Sequence, residues 1–532
     1  MDVIVCLREI MFSSPFILFA LLFLLFILIK LVSFRKLENL PPGPPKWPII
    51  GNLHQLGEKP HVTVTKFAKE YGPLISLHLG KQLLVVATSP EAAMGILKTQ
   101  DRVLSSRMVP SAFNHNSLLP YSLIWSECNQ SWKTLRTICR AEMFSNKAIE
   151  SHSRLREEKV GDMLDFLRSK QGQMVNIGEV VYTTVLNSIS GIIFSKDLLD
   201  LKDENEACGG LKKSLDKVLE QVGKTDLSDF YPIFRSLDLQ GISKGFTKHS
   251  KELFSVWEVM TKERRSQIAS STWSPEHARS FLDRLIENEF SNDQINQLLN
   301  ELFIAGTDTT TTTVEWAMAE LLRNKEARSK LEQELRKEIN SDKITESQIS
   351  KLSYLQACIK ETLRLHAPAP FLIPHRAIQT CEVMGYTIPE NSELFINIWG
   401  MGRDPKIWDD PLSFKPERFL GANLDFISQD FKFIPFGAGR RMCPGLPSAI
   451  KSIELILATL IHGFNWVLPN GEDLMKLDMN DKFGVIENRN LVVHAVTIVE
   501  VLVILSCVFA LVILVYLAVF IHYMHILDHP LP

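Results

Sequence analysis

One stretch constrains this chain more than any other: Phe436-Gly437-Ala438-Gly439-Arg440-Arg441-Met442-Cys443-Pro444-Gly445. Three glycines punctuate it, and an apolar helical run, Ala449 through Phe464, follows. Gly437, Gly439 and Gly445 permit positive φ and let the backbone approach a flat partner closely. Arg440 and Arg441 supply donors for carboxylates or an acidic partner. Cys443 stands just before a helix start, where the dipole and loop amides favour a thiolate. The plain alternative is a structural cysteine buried in a turn.

A lone thiolate on a rigid loop suits a haem iron, because one axial thiolate pushes electron density toward O–O cleavage. The loop resembles the cytochrome P450 signature, Phe-x-x-Gly-x-Arg-x-Cys-x-Gly, at every fixed position. That resemblance makes Cys443 the proximal iron ligand and sets Phe436, Arg441 and Gly445 beside the cofactor.

The remaining composition narrows the field. With 532 residues and a net charge of -3, the chain can bury a large core, and nothing in that balance points to nucleic acid as a partner. The eight cysteines are scattered without a CxxC pair, which argues against a zinc site or a disulfide framework. Phe16 to Ile29 is apolar, and Leu31 to Phe34 extends it past Lys30. That stretch approaches spanning length, and Lys30, Arg35 and Lys36 behind it place the rest of the chain in the cytoplasm. Leu40-Pro41-Pro42-Gly43-Pro44-Pro45 is a stiff spacer. It resembles the hinge of microsomal members of the family.

Leu74–Gly80 and Leu83–Ala87 bracket a Gly-Lys turn and predict a hairpin. Met108 to Ser126 is irregular; in the family this region covers the substrate, so Phe113 and Leu118 become pocket candidates. Trp132 and Arg136 lie four apart on one helical face. They match the family's Trp-x-x-x-Arg, whose side chains hydrogen-bond a haem propionate. Ser145 to Ser270 reads as mostly amphipathic helix, broken near Gly209-Gly210 and Gly241.

Asn292 to Asn324 predicts a long helix, capped by Ser291 or Asn292, with a conflict in its middle. Ala305-Gly306-Thr307-Asp308-Thr309-Thr310 puts a glycine and β-branched residues inside a helix, at a cost of about 1 kcal/mol for the glycine alone. A local rule broken inside a strong helix marks a candidate functional site. Small Ala305 and Gly306 leave room for a ligand, and Asp308 and Thr309 place an acid and a hydroxyl beside it. Threonines also tolerate helix interiors by bonding back to i−4 carbonyls. The segment resembles the family's oxygen-binding groove, which implies that Thr309 steadies the bound oxygen species and Asp308 relays protons. Leu299 and Phe303 on the same helix join the substrate candidates.

Leu352 to Leu365 predicts another helix, with Glu361 and Arg364 close enough to pair. The pair matches the family's Glu-x-x-Arg, and Pro416-Glu417-Arg418-Phe419 matches its Pro-Glu-Arg-Phe segment. By resemblance Arg418 joins the pair in a buried network that positions the cysteine loop. In the stretch Ala369–Arg376, Phe371 and Leu372 are substrate candidates. His375 or Arg376 reaches a propionate; His375 is the candidate carried forward. Tyr386 to Ile398 reads as strand, turn, strand.

The resemblance implies a mainly α protein with a smaller β portion, the cytochrome P450 fold with an N-terminal transmembrane helix. The expected organisation is an anchor at 1–36, a hinge at 37–50, a catalytic domain at 51–485 and an atypical tail at 486–532. The pattern departs from the family after Val485, without the usual terminal hairpin, and Val501 to Ile521 is an uncharged run of transmembrane length. The tail is either an altered transcript or a second span. The implied cofactor is haem b (iron protoporphyrin IX), with O2 and NADPH-derived electrons as co-substrates. The implied partners are an NADPH-cytochrome reductase, a small hydrophobic substrate and the endoplasmic reticulum membrane, with the catalytic domain facing the cytosol. Lys133, Arg140, Lys432 and Arg440 are candidates for a basic face toward an acidic flavoprotein. Among plant microsomal members the wording is similar to alkaloid oxidases of the N-methylcoclaurine hydroxylase and berbamunine synthase type. Two other classes stay open. One is a reductase-independent haem-thiolate isomerase or dehydratase; the other is a haem-binding membrane protein impaired by a missing hairpin.

Overall fold

The computed structural model describes residues 19, 21–24, 26, 39–113, 118–202, 209–270, 279–421, 424–427, 429–468, 473–477, 479 and 492–497. The long helices that position the site are α1 (Gln130–Cys139), α2 (Ser153–Ser169), α3 (Ile177–Phe194), α4 (Gly209–Gly223), α5 (Ile242–Ala269), α6 (Asn292–Arg323), α7 (Ser353–Leu365) and α8 (Leu446–Gly463). The strands are β1 (Leu74–Leu79), β2 (Gln82–Ala87), β3 (Ser106–Arg107), β4 (Met174–Asn176), β5 (His375–Arg376), β6 (Cys381–Val383), β7 (Tyr386–Ile388), β8 (Glu393–Ile396), β9 (Phe464–Val467) and β10 (Val492–Thr497). The result is mainly helical with a small sheet portion.

The expected hairpin forms as β1 and β2, with Leu79 opposite Gln82. It becomes the edge of a five-stranded sheet ordered β1-β2-β8-β5-β3, in which β2 and β8 run parallel. The strand-turn-strand expected over Tyr386–Ile398 is divided differently. β7 pairs with β6 in a two-stranded sheet, and β8 joins the large one. A third sheet, β4-β10-β9, brings the end of the described chain against α2 and α3. β10 lies beyond Val485, so the folded unit continues past the limit expected from sequence.

Helix α6 begins where expected. Ser291 accepts from the Gln294 amide, and the Gln294 side chain returns to the Ser291 amide, closing a capping box. Most of α6 is buried on every side, as a helix through the centre of a large domain must be. Its C-terminal half joins α2, α3, α7 and α8 in the main apolar core. Its N-terminal half packs with α4 and α5 in a second one. Helices α3 and α8 are long and apolar enough to cross a membrane, but both are mostly buried in this core. Of the expected N-terminal anchor, Phe19, Leu21–Leu24 and Phe26 are described, and their apolar side chains are exposed. The candidate span Val501–Ile521 lies outside the described residues.

Glu361 and Arg364 pair at 2.7 Å with both side chains fully buried. Arg418 reaches the same carboxylate at 3.1 Å, and the Lys415 amide donates to it at 2.7 Å. Arg364 also donates to the carbonyls of Gly402, Pro411 and Ser413. One carboxylate thus ties α7 to the segment that leads into the cysteine loop. Phe419 and Phe426 continue the link by packing on Phe433, at ring separations of 5.0 and 5.7 Å.

Removing one partner of such a network leaves an uncompensated buried charge, which costs about 3–5 kcal/mol. Glu361→Gln should therefore lower the thermal midpoint and the yield of folded protein far more than Glu417→Gln, whose carboxylate is partly exposed. Equal midpoints for the two variants would show that the network does not hold the loop.

Candidate active site

The loop around Cys443 is held from three sides. The Cys443 amide donates to the Phe436 carbonyl at 3.0 Å. Phe436 packs edge-on against Phe426 at 5.5 Å. Gly439 has φ +70°, and a Cβ there would stand 2.2 Å from the Leu97 carbonyl and 2.8 Å from Asp101 Oδ1. Asp101 then binds the next residue, accepting from the Arg440 amide at 3.2 Å and Nε at 2.6 Å. Gly437, with φ +71°, leaves its open side to Leu372, 3.6 Å from a Cβ position. The requirement for glycine is therefore steric at 439 and conformational at both positions.

The Cys443 thiol accepts from the amides of Gly445 and Leu446 at the start of α8, and Arg136 lies close by. The two amides are the groups expected to favour a thiolate; Arg136 adds its charge to them. Burial nevertheless outweighs them and pushes the thiol above its usual value. The free sulfur is thus held neutral, and a bound metal is what deprotonates it. The side chain also has substantial accessible surface although it lies deep in the protein. Depth in the fold together with free surface at the sulfur is what a hollow for a cofactor would give.

Ala305 of α6 is likewise exposed in the middle of an otherwise buried helix. The two flanking positions behave differently from expectation. Gly306 was read as room for a ligand, but a Cβ there would lie 2.8 Å from Ile189 Cδ1, so its small size serves the packing of α3 on α6. Thr309 Oγ1 donates back to the Ala305 carbonyl at 2.7 Å, and Thr313 repeats the bond to Thr309 at 2.8 Å. The hydroxyl expected to act on oxygen is thus parked on its own helix, beside Ala305. The Asp308 carboxyl is raised to about 7, first by burial and then by the charge of Asp216.

A cationic cradle adjoins the loop. Arg441 donates to the carbonyls of Ser105, Ser126 and Ile124, and its guanidinium sits 4.8 Å from the Trp132 ring centre. Arg136 donates to the Met442 carbonyl and lies 5.3 Å from the same ring. Trp132 Nε1 donates to the Leu123 carbonyl at 2.9 Å, not to a group in the hollow. Arg107 was missed from sequence. It is buried and donates to the carbonyls of Ile373, Pro374 and Ile124. Burial and its cationic neighbours lower it to about 9. His375 is buried, donates from Nδ1 to the Leu104 carbonyl at 2.8 Å, and is lowered to about 3. Arg376 turns away to Glu127 and Asn391, so of the two alternatives His375 is the inward one.

Among the described residues no carboxylate bonds Arg107, Arg136 or Arg441. Three guanidiniums satisfied only by carbonyls form a surplus of positive charge that calls for an anionic group. The two propionates of a haem fit that surplus, and the sulfur of Cys443 fits its iron.

The substrate candidates separate. Leu372 is half-buried against the cysteine loop. Phe371 packs on Phe395 at 4.8 Å, and Phe113 on Phe246 at 4.2 Å. Leu118 is half-buried. Leu299 and Phe303, however, are fully buried, with Phe303 stacked on Trp257 at 4.8 Å. They belong to the packing of α6 on α5 and offer no surface to a ligand in this conformation; Ile304 and Ala305 keep accessible surface.

A family model, Cytochrome P450, matches residues 41–494. The match passes Val485, as β10 does, so departure from the family pattern begins later than the sequence reading placed it. The chain is 47% identical to a probable (S)-N-methylcoclaurine 3'-hydroxylase isozyme 2 of Coptis japonica, over 84% of this chain and 91% of that protein. It is 40% identical to a berbamunine synthase of Berberis stolonifera, over 84% and 92%. It is 39% identical to a geraniol 8-hydroxylase of Catharanthus roseus, over 85% and 92%.

The neutral burial of His375 has an acid signature. Its folded value is about 3 against an ordinary 6.5, so between those limits the unfolded chain binds the extra proton. Stability from this group is complete above pH 6.5 and is lost as pH falls toward 3. His375→Gln should reduce proton uptake on acid unfolding by up to about one proton in that window. Potentiometric titration of both proteins checks it, and unchanged uptake would exclude a buried neutral imidazole.

Proposed function

The chain belongs to the cytochrome P450 family of monooxygenases, and from that premise we propose that it oxidises a small hydrophobic plant alkaloid with electrons from NADPH delivered by a reductase. The observation that carries the proposal is the pairing of two features. The Cys443 loop and its cationic cradle present one sulfur and a surplus of charge for haem b. The Ala305–Thr309 segment of α6 presents an accessible turn in the middle of a largely buried helix. The alkaloid class rests on the hydroxylase and synthase relatives; a terpenoid hydroxylase at similar identity leaves the substrate itself to experiment.

When bound, the haem supplies the activation of O2. The chain's own residues do the rest. Cys443 would hold the iron as its thiolate, and Arg107, Arg136 and Arg441 would meet the propionates; His375, neutral and with its one N–H given to the Leu104 carbonyl, has no donor left for a carboxylate. Thr309 can leave the Ala305 carbonyl and place its hydroxyl over the hollow. Asp308, near half protonation at neutral pH, holds a proton one residue away. Leu118 and Leu372, which keep accessible surface, would shape the apolar space above, whereas Phe113 and Phe371 are buried in packing as Leu299 and Phe303 are. This acid-hydroxyl pair favours monooxygenation over the reductase-independent isomerase or dehydratase class, which needs no delivered proton.

The reductase would meet α1. Lys133 and Arg140 are exposed and form no ion pair among the described residues. Lys432 and Arg440 are already paired with Asp430 and Asp101, so they contribute less to docking. The N-terminal anchor places the protein on the endoplasmic reticulum membrane with this face in the cytosol.

The test is NADPH-dependent turnover of a benzylisoquinoline alkaloid panel in microsomes co-expressing a reductase. Product that requires both NADPH and the reductase supports the proposal; no such product, together with conversion of an organic hydroperoxide to its isomer or dehydration product without NADPH, would move the protein to the isomerase class. Thr309→Ala should keep NADPH consumption within about twofold yet cut product per NADPH about tenfold, with peroxide making up the difference. Unchanged coupling would remove Thr309 from the reaction.

A further inference from the structure

One lane between α3 and α6 carries polar side chains that face each other. On α6, Asp308, Thr311 and Glu315 follow at i, i+3 and i+7, so they share a face. On α3, Gly178 and Tyr182 share the facing stripe at i and i+4. Glu315 Oε1 stands 2.4 Å from where a Gly178 Cβ would be, so the glycine admits a carboxylate between the helices. The Tyr182 hydroxyl and the Thr311 hydroxyl are both buried and have no hydrogen-bond partner among the described residues. Buried hydroxyls in native proteins are satisfied, and water is the group that satisfies them where protein does not. At the outer end, Lys212 of α4 lies 5.0 Å from the Tyr182 ring centre and 3.7 Å from the Glu179 carboxylate. The Glu179 side chain is two-thirds exposed, so this end opens to solvent. Asp216, one turn beyond Lys212, completes the charged groups at the mouth. At the inner end Tyr182 and Asp308 are close enough for the charge of one to bear on the other.

We propose that this lane is a proton inlet, in which the Tyr182 and Thr311 hydroxyls, bridged by water, carry protons from solvent beside Lys212 and Glu179 to the Asp308 carboxylate. The inference deepens the oxygen-activating role given to Asp308 and rests on it. The balance is simple. Asp308 gives up its proton toward Thr309 and becomes a carboxylate. The water next to it passes one proton in, Thr311 gives its own to that water and takes one, through a second water, from Tyr182, and a water at the mouth restores the phenol. One proton enters per transfer and no group is changed. Tyr182 is thus a positioning residue, acting on the reaction only through Asp308.

The test uses the full-length holoenzyme. The carboxyl C=O stretch of Asp308 is assigned by infrared difference against Asp308→Asn, and its hydrogen–deuterium exchange is followed after mixing into D2O. Tyr182→Phe keeps the ring over Lys212 and removes only the hydroxyl; Thr311→Val keeps the shape and does the same. The inlet predicts exchange slowed about tenfold or more in each variant, together with lower coupling that Tyr182→Phe shares with Asp308→Asn. If Tyr182→Phe fails to fold, Thr311→Val decides. Slowing of less than about tenfold in the variants that fold overturns the inlet. Coupling unchanged in Asp308→Asn overturns instead the role of Asp308. Asp308→Asn uncoupled, with wild-type exchange in the hydroxyl variants, leaves that role standing and removes only the inlet.

Discussion

The architecture depends on a single carboxylate. Glu361, without solvent contact, is shared by the guanidinium of Arg364 on its own helix and by the Arg418 guanidinium and Lys415 amide of one returning segment. Desolvating those charges is expensive, and the cost is offset only because every oxygen of Glu361 is met. A network of this kind adds little net stability against an apolar replacement. Its effect is on geometry. It fixes where the Gly402–Arg418 segment returns to α7, and the aromatic contacts of Phe419 and Phe426 pass that position on to Phe433 and Phe436. The cysteine at the end of this train is therefore placed by side chains that never approach the reaction.

Much of this was legible from residues because it is local. The Ser291 cap, the hairpin before Ala87, the glycines of the cysteine loop and the Glu361–Arg364 spacing are all decided within a few positions. What escaped the sequence depends on partners far along the chain. Arg107 sits in an irregular stretch with no periodic signal, and only the carbonyls of Ile373 and Pro374 reveal it. The role of Gly306 is set by Ile189 on another helix. Leu299 and Phe303 have the composition of pocket residues, yet the α6 face they occupy is taken by Trp257. β10 escaped because its partners, β4 and β9, lie more than twenty positions away.

The thiol and the cradle illustrate opposite uses of burial. Burial keeps Cys443 neutral, so the loop amides are insufficient alone and a metal must complete the site. Burial also makes the guanidiniums of Arg107 and Arg441 costly neighbours, with the half-buried Arg136 beside them, because their bonds go to carbonyl oxygens. Both imbalances are corrected by one ligand carrying a cation at its centre and carboxylates at its edge. Ala305, exposed in the middle of the largely buried α6, marks where that ligand would lie.

The uncompensated guanidiniums have a consequence for the protein's life in the cell. A ligand that binds only the native state adds to its stability by mass action. Here that ligand also serves as the counter-ion for the cradle. Chains made faster than haem is delivered would carry the charge surplus on their folded interior and open there first, around Arg107 and the β3–β5 strand pair. The quality-control machinery would clear them from this end. The steady level of the protein would then follow the supply of prosthetic group as closely as the rate of its own synthesis.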